Sequence, residues 1–129
     1  MQAGCVAAAS VQEAVEASDV IVVVLADAEA IHDTVLSEAV VPLLPGKCIV
    51  QMGTIGPGES RDIAAAVSTA GGQYVEAPVL GSQPEAAAGT LLVMVGCNVD
   101  PETSPAWPVL KAFGEAPLHI GEVRMFSLI

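Results

Sequence analysis

The chain has 129 residues, of which 53% are hydrophobic, 15% charged and only 3% aromatic. Such a chain fits one domain or a piece of one; the balance excludes a disordered acidic polypeptide and leaves Ala, Val, Leu and Ile to build the core. The net charge of −11, from 4 basic and 15 acidic side chains, excludes a nucleic-acid face, because Lys47, Arg61, Lys111 and Arg124 are scattered rather than clustered.

The N-terminus, MQAGCVAAAS, has no basic leader pattern, and the strongest apolar run, Val20 to Ala26, is far too short to cross a bilayer. Cys5 to Ala8 reads as a short strand. Ser10-Val-Gln-Glu13 has the pattern of a capping box and starts a helix to about Ala17. Val20 to Leu25 is a β-branched run of the kind expected in a strand buried on both faces. Asp27 is placed to cap a helix to about Leu36, with Ala28, Ile31, Val35 and Leu36 on one side.

Pro42, Pro45 and Gly46 mark a loop before the strand Cys48 to Met52. Gly53 to Gly58 is a turn, and Pro57 is preset for the first turn of a helix that runs to about Ala70 and stops at Gly71-Gly72. Gln73 to Val79 reads as a strand, Leu80 to Gly89 as a small-residue loop, and Leu91 to Gly96 as a further strand. Asp100 or Thr103 opens a last helix to Phe113, with Trp107 capping the core beneath it, and Leu118 to Gly121 closes as a short strand. Strands alternating with helices predict an α/β fold with a mainly parallel sheet and helices on both faces. No internal domain boundary interrupts residues 1–129.

Ligands bind such sheets at the carboxyl ends of the strands. Three segments qualify: Leu25-Ala26-Asp27, Gly53-Thr54-Ile55-Gly56 and Leu80-Gly81-Ser82-Gln83. The second offers the Thr54 hydroxyl and turn N–H groups ahead of a helix start, which suit ribose or phosphate oxygens; an ordinary strand-to-helix turn has the same composition. G-x-G-x-x-G is absent, and so are a Walker lysine and the G-x-S-x-G of a hydrolase. His32 reads as a solvated helix residue and His119 as structural, while Glu76 is either a ligand-facing carboxylate or a charge at a strand edge. Cys5, Cys48 and Cys97 form no metal-ligand spacing and read as small core residues of a reduced, cytoplasmic protein.

Gln51-Met-Gly-Thr-Ile-Gly-Pro57 resembles the D-M-S-T-I-S-P element of the β-hydroxyacid dehydrogenases, the family of 3-hydroxyisobutyrate dehydrogenase and the glyoxylate or succinic semialdehyde reductases, with a nucleotide domain like that of 6-phosphogluconate dehydrogenase. Glu76-Ala-Pro-Val-Leu-Gly-Ser82, Gly89-Thr-Leu and Met94-Val-Gly96 resemble its D-A-P-V-S-G-G, G-T-L and M-V-G signatures. Ser18-Asp-Val with Leu25-Ala-Asp27, and His119-Ile-Gly121, match further elements in order.

The resemblance implies an NAD(P)-dependent oxidoreductase of hydroxy acids or semialdehydes. It places Leu25, Ala26 and Thr54 in the cofactor site and Leu80, Gly81 and Ser82 in the loop that holds the substrate carboxylate. Leu80 stands where the family has Ser, and Ala26 where it has Pro. The match begins after the family's first βαβ unit and stops before its catalytic lysine and helical domain. Arg124 to Ile129 does not match at all.

The expected architecture is therefore an incomplete, Rossmann-like, doubly wound sheet without that first unit. No residue is assigned as catalytic, and none as a metal ligand. The expected function is a truncated dehydrogenase relative that does not turn over alone; the alternative is a non-catalytic module for a small carboxylate, a nucleotide or a protein. A bare edge at Val20 to Leu25 would recruit another copy or the Cys5 to Ala8 segment, so a homo-oligomer is expected.

Overall fold

The computed structural model describes residues 4–98, 100–114 and 117–121. The Arg124–Ile129 ending lies outside them. The elements in order are α1 (Val11–Glu16), β1 (Val20–Val23), α2 (Ala28–Thr34), β2 (Cys48–Gln51), α3 (Pro57–Thr69), β3 (Gln73–Glu76), β4 (Val79–Leu80), α4 (Gln83–Ala88), β5 (Leu92–Gly96), α5 (Trp107–Phe113) and β6 (Leu118–Gly121). Short 3₁₀ turns occupy Val41–Leu43 and Pro101–Thr103.

The strands form one six-stranded sheet. β1, β2 and β3 run parallel, with Val20 beside Cys48 and Cys48 beside Gln73. β5 then runs antiparallel, so the sheet is mixed beyond β3. Its ladder keeps one register from Glu76↔Gly96 through Val79↔Val93 to Leu80↔Leu92. β4 is thus the continuation of β3 along the same edge of β5, and β6 takes the opposite edge in parallel. The expected single strand from Gln73 to Val79 is divided at Ala77-Pro78, because Pro78 has no N–H for a ladder. The Pro78 carbonyl still accepts from Met94 N at 3.0 Å.

Side-chain alternation splits the core between the two faces. Ile49 and Tyr74 meet Val15 of α1, Ile31 of α2 and Ile63 and Val67 of α3 on one face. Cys48, Val50, Val75, Val93 and Val95 meet Ala106 and Leu110 on the other, with Trp107 and Phe113 packed against them. Helices on both faces, and Trp107 against the core, are as the sequence predicts.

The helix starts also match. Ser10 Oγ accepts from Glu13 N at 3.1 Å, and Asp27 Oδ1 from Ala30 N at 2.8 Å. Glu13 reaches one residue further than a standard capping box, accepting from Ala9 N at 2.8 Å.

Four further expectations fail. Cys5 to Ala8 forms no strand; its residues are exposed and pair with no ladder. Cys5 is consequently no core residue, whereas Cys48 and Cys97 are buried. The Leu80–Gly89 loop contains α4, which Ser82 starts and Gly89 ends at φ 71°, in the left-handed conformation that glycine favours. The last helix is shorter than read, because Ser104 stays extended between the 3₁₀ turn and α5.

Candidate functional site

β1, β2 and β3 end side by side, and three loops leave that end of the sheet. After β1, Leu25 is half-buried against the helical core, while Ala26 and Asp27 are exposed. After β2, Gln51 is buried and turns back on its own chain: Gln51 Nε2 donates to Gly53 O at 2.8 Å and Gln51 Oε1 accepts from Gly53 N at 2.6 Å. That clamp presses Gly53 against the first loop, where a Cβ would lie only 3.0 Å from Leu25 O. The structure thus joins the Leu25 and Thr54 loops, and Thr54 stands exposed beside their contact.

The turn offers fewer donors than its sequence promised. Gly53 N–H goes to Gln51, and Gly56 N–H goes to Glu59 Oε1 at 3.0 Å. Glu59 also sets a negative charge in the first turn of α3, where an anion would otherwise be favoured. The apolar wall of Leu25 and the Thr54 hydroxyl fit a nicotinamide and its ribose. The acids Asp27 and Glu59 do not fit a pyrophosphate.

The third loop is carried past the end of β3 by β4. Leu80 is 57% exposed and faces Leu92 across the ladder, a substantial apolar surface where the family pattern has a hydroxyl. Gly81 has φ 135°, a backbone conformation that favours glycine, and a Cβ there would push aside the end of the Leu91 side chain 2.7 Å away. Ser82 is occupied by the chain itself: its Oγ donates to Glu85 Oε2 at 2.7 Å and its N–H to the same oxygen at 3.3 Å. The hydrogen bond from Ser82 holds the Glu85 carboxyl below the usual carboxylate range.

Glu76 answers neither sequence reading. It is 4% exposed and central in the sheet, beside Gln51 on β2 and Gly96 on β5. It faces the same side as Tyr74, whose hydroxyl lies 3.0 Å from Ser60 Oγ. Burial pushes the Tyr74 phenol up to about 12; the Ser60 hydrogen bond opposes the rise and the charge of Glu76 adds to it. Gln51, Glu59 and Glu85 were not singled out from sequence. The available signal was a polar residue closing an apolar strand and an acid three residues after each helix start.

Other chemistry finds no footing. His32 is exposed, and exposed His119 places Nε2 3.0 Å from Gly121 O. Burial pushes the Cys48 thiol up, away from reactivity. Among the described residues no cluster of His, Cys, Asp or Glu could hold a metal ion, and no helix is long and apolar enough to cross a membrane.

The family model for the NAD binding domain of 6-phosphogluconate dehydrogenase matches residues 1–121. The chain belongs to this family. Family membership makes NAD(P) the associated cofactor and a Rossmann-like α/β domain the fold, as the resemblance implied.

Among curated relatives, an NAD-dependent L-serine dehydrogenase of Pseudomonas aeruginosa is 33% identical over 121 residues, covering 92% of this chain and 40% of that protein. A 2-hydroxy-3-oxopropionate reductase of Escherichia coli is 36% identical over 95 residues, 72% of this chain and 32% of that one. The solved 3-hydroxyisobutyrate dehydrogenase of Mycobacterium tuberculosis, determined with L-serine, superposes with TM-score 0.83 at 27% identity, over 93% of this chain and 41% of that chain. The chain therefore spans well under half the length of these relatives.

Proposed function

We propose that these 129 residues form the carboxyl-terminal part of the NAD(P)-binding domain of a 3-hydroxyacid dehydrogenase or semialdehyde reductase, and that by themselves they bind ligand without turning it over. In this reading Leu25, Ala26 and Thr54 line the nicotinamide–ribose side of the cofactor. Leu80, Gly81 and Ser82 border a small hydroxy acid such as L-serine. In a complete enzyme of this kind the cofactor held there would supply or accept a hydride.

The observation that carries the reading is the contact between the Leu25 carbonyl and Gly53, which fixes Thr54 beside an apolar wall at the carboxyl ends of two parallel strands. Catalytic silence follows from what the residues lack. No G-x-G-x-x-G cradle occurs in these residues, and the turn N–H groups of Gly53 and Gly56 are already engaged.

Fluorescence titration with NADPH tests the binding half. Saturable binding below millimolar NADPH is expected, weaker than a site with a pyrophosphate cradle would give, and no binding at millimolar NADPH would overturn it. Turnover of L-serine with NAD or NADP by the purified chain would overturn the catalytic half.

A further inference from the structure

Gln51 is the last residue of β2, and strand alternation puts its side chain on the face that carries Ile49 and Tyr74. Its neighbours across the ladders are Val23 on β1 and Glu76 on β3, one a hydrocarbon and the other a buried acid. A side-chain amide only 1% exposed needs partners for both its oxygen and its nitrogen. Gln51 finds them two residues along its own chain, in the N–H and the C=O of Gly53.

One side chain thus binds both peptide groups of one residue. Those groups flank the φ and ψ torsions of Gly53, so the clamp fixes together what would otherwise be the freest backbone in the turn. The Gly53 Cα is also closed in from the first loop, since a Cβ would stand 3.0 Å from Leu25 O. Thr54 follows directly, and Ile55 after it packs on the helical core. Thr54 therefore lies between a clamped residue and an anchored one. Its own side chain is exposed, and among the described residues its hydroxyl makes no hydrogen bond. The backbone beneath that hydroxyl is set before any ligand arrives.

We propose that Gln51 is a positioning residue for cofactor binding. Its amide holds Gly53 against the Leu25 loop, so that the Thr54 hydroxyl meets the cofactor ribose from a fixed place beside Leu25. This role rests on the cofactor reading given above. Gln51 is buried beneath the turn and acts through Thr54 rather than on the ligand.

The clamp requires an amide. A carboxylate of the same length accepts from Gly53 N–H but has no N–H for Gly53 O, and it would stand beside the buried acid Glu76. An apolar side chain of the same length offers neither bond and leaves Gly53 free to swing, carrying Thr54 with it.

NMR on the full chain tests this. Without ligand, the Gln51 side-chain amide and the Gly53 N–H of the wild type should both exchange slowly with solvent; fast exchange of either would overturn the clamp. Gln51→Met should release the Gly53 N–H and shift the Thr54 amide. In chemical-shift titrations with NADPH, Gln51→Met and Thr54→Ala should each weaken binding about five-fold, as for one hydrogen bond. The double variant should bind no more weakly than Thr54→Ala alone, because both changes remove the same contact. A merely structural Gln51 would change the unfolding temperature and leave the affinity of the folded protein alone. Should Gln51→Met misfold, Gln51→Glu decides, since it keeps the shape and one of the two bonds and should weaken binding in the same non-additive way. Wild-type affinity in the Gln51 variant, or losses that add to about twenty-five-fold in the double variant, would overturn the role of Gln51 and leave the cofactor reading standing. A wild type with both amides protected that binds no NADPH at millimolar concentration would overturn the cofactor reading, and this role with it.

Discussion

Ser82 Oγ donates to Glu85 Oε2 at 2.7 Å, so the hydroxyl at the tip of the substrate loop already holds a carboxylate that belongs to the chain. An incoming carboxylate must displace Glu85 or bind beside its charge. Glu85→Gln should therefore strengthen L-serine binding about five-fold, the scale of one exposed charge pair near a protein surface. Chemical-shift titration of the Ser82 amide checks it; equal affinities would show that the loop does not hold the ligand carboxylate.

The same contact has a pH signature. The Glu85 carboxyl titrates below its unfolded value chiefly because Ser82 donates to it. Its contribution to stability is present above the unfolded pKa and is lost as pH falls through the folded pKa. Ser82→Ala should raise the Glu85 titration toward the usual range, read by NMR of its side-chain carboxyl carbon, and an unmoved titration would refute the assignment.

Tyr74 predicts sensitivity to alkali. Its phenol is raised by burial to about 12, from an ordinary value of 10.0. Between those values the unfolded chain loses the proton while the folded chain keeps it, so stability falls as pH rises from 10 to 12, by up to about 2 to 3 kcal/mol. Denaturant unfolding at pH 9 to 11.5, roughly the span of an ordinary tyrosine titration, should show a steeper decline in the wild type than in Tyr74→Phe, in which the buried Cys48 thiol still contributes. Tyr74→Phe should itself cost about 1 to 2 kcal/mol near neutrality, because it strands the buried Ser60 hydroxyl.

Two glycines should resist substitution for reasons of space. Gly53→Ala sets a methyl group 3.0 Å from both Leu25 O and Gln51 Oε1 and should cost roughly 1 to 3 kcal/mol while loosening the joined loops. Gly114→Ala drives its methyl group into the Leu91 carbonyl oxygen, a backbone atom that has no room to yield, and should be the more damaging of the two. Thermal unfolding of both variants gives the ranking.

Thr54→Ala removes the exposed hydroxyl beside the Leu25 wall. A loss of roughly five-fold in NADPH affinity is expected, as for one hydrogen bond, with thermal stability unchanged. Unchanged affinity would remove Thr54 from the site and leave the rest of the reading standing.

The sequence showed the fold wherever local chemistry and burial agree. The caps at Ser10 and Asp27, the stop at Gly71, and the core-facing Ile63 and Val67 are local signals, and the structure keeps them all. The site was legible as three loops at strand ends. The occupation of those loops was not read, although an acid three residues after each helix start, Glu59 and Glu85, was the signal that each takes a neighbouring donor within its own turn.

By itself, the sequence determined the α/β class, most of the elements and the family, because periodicity, caps and turn residues act within a few positions of each other. Only the tertiary structure decided which groups remain available. Glu76 became an interior residue once β5 returned antiparallel beside β3, and Val22 and Val24 became exposed because, among the described residues, no strand or helix covers them. Both outcomes depend on which elements become neighbours, a long-range matter that an apolar run of valines does not record.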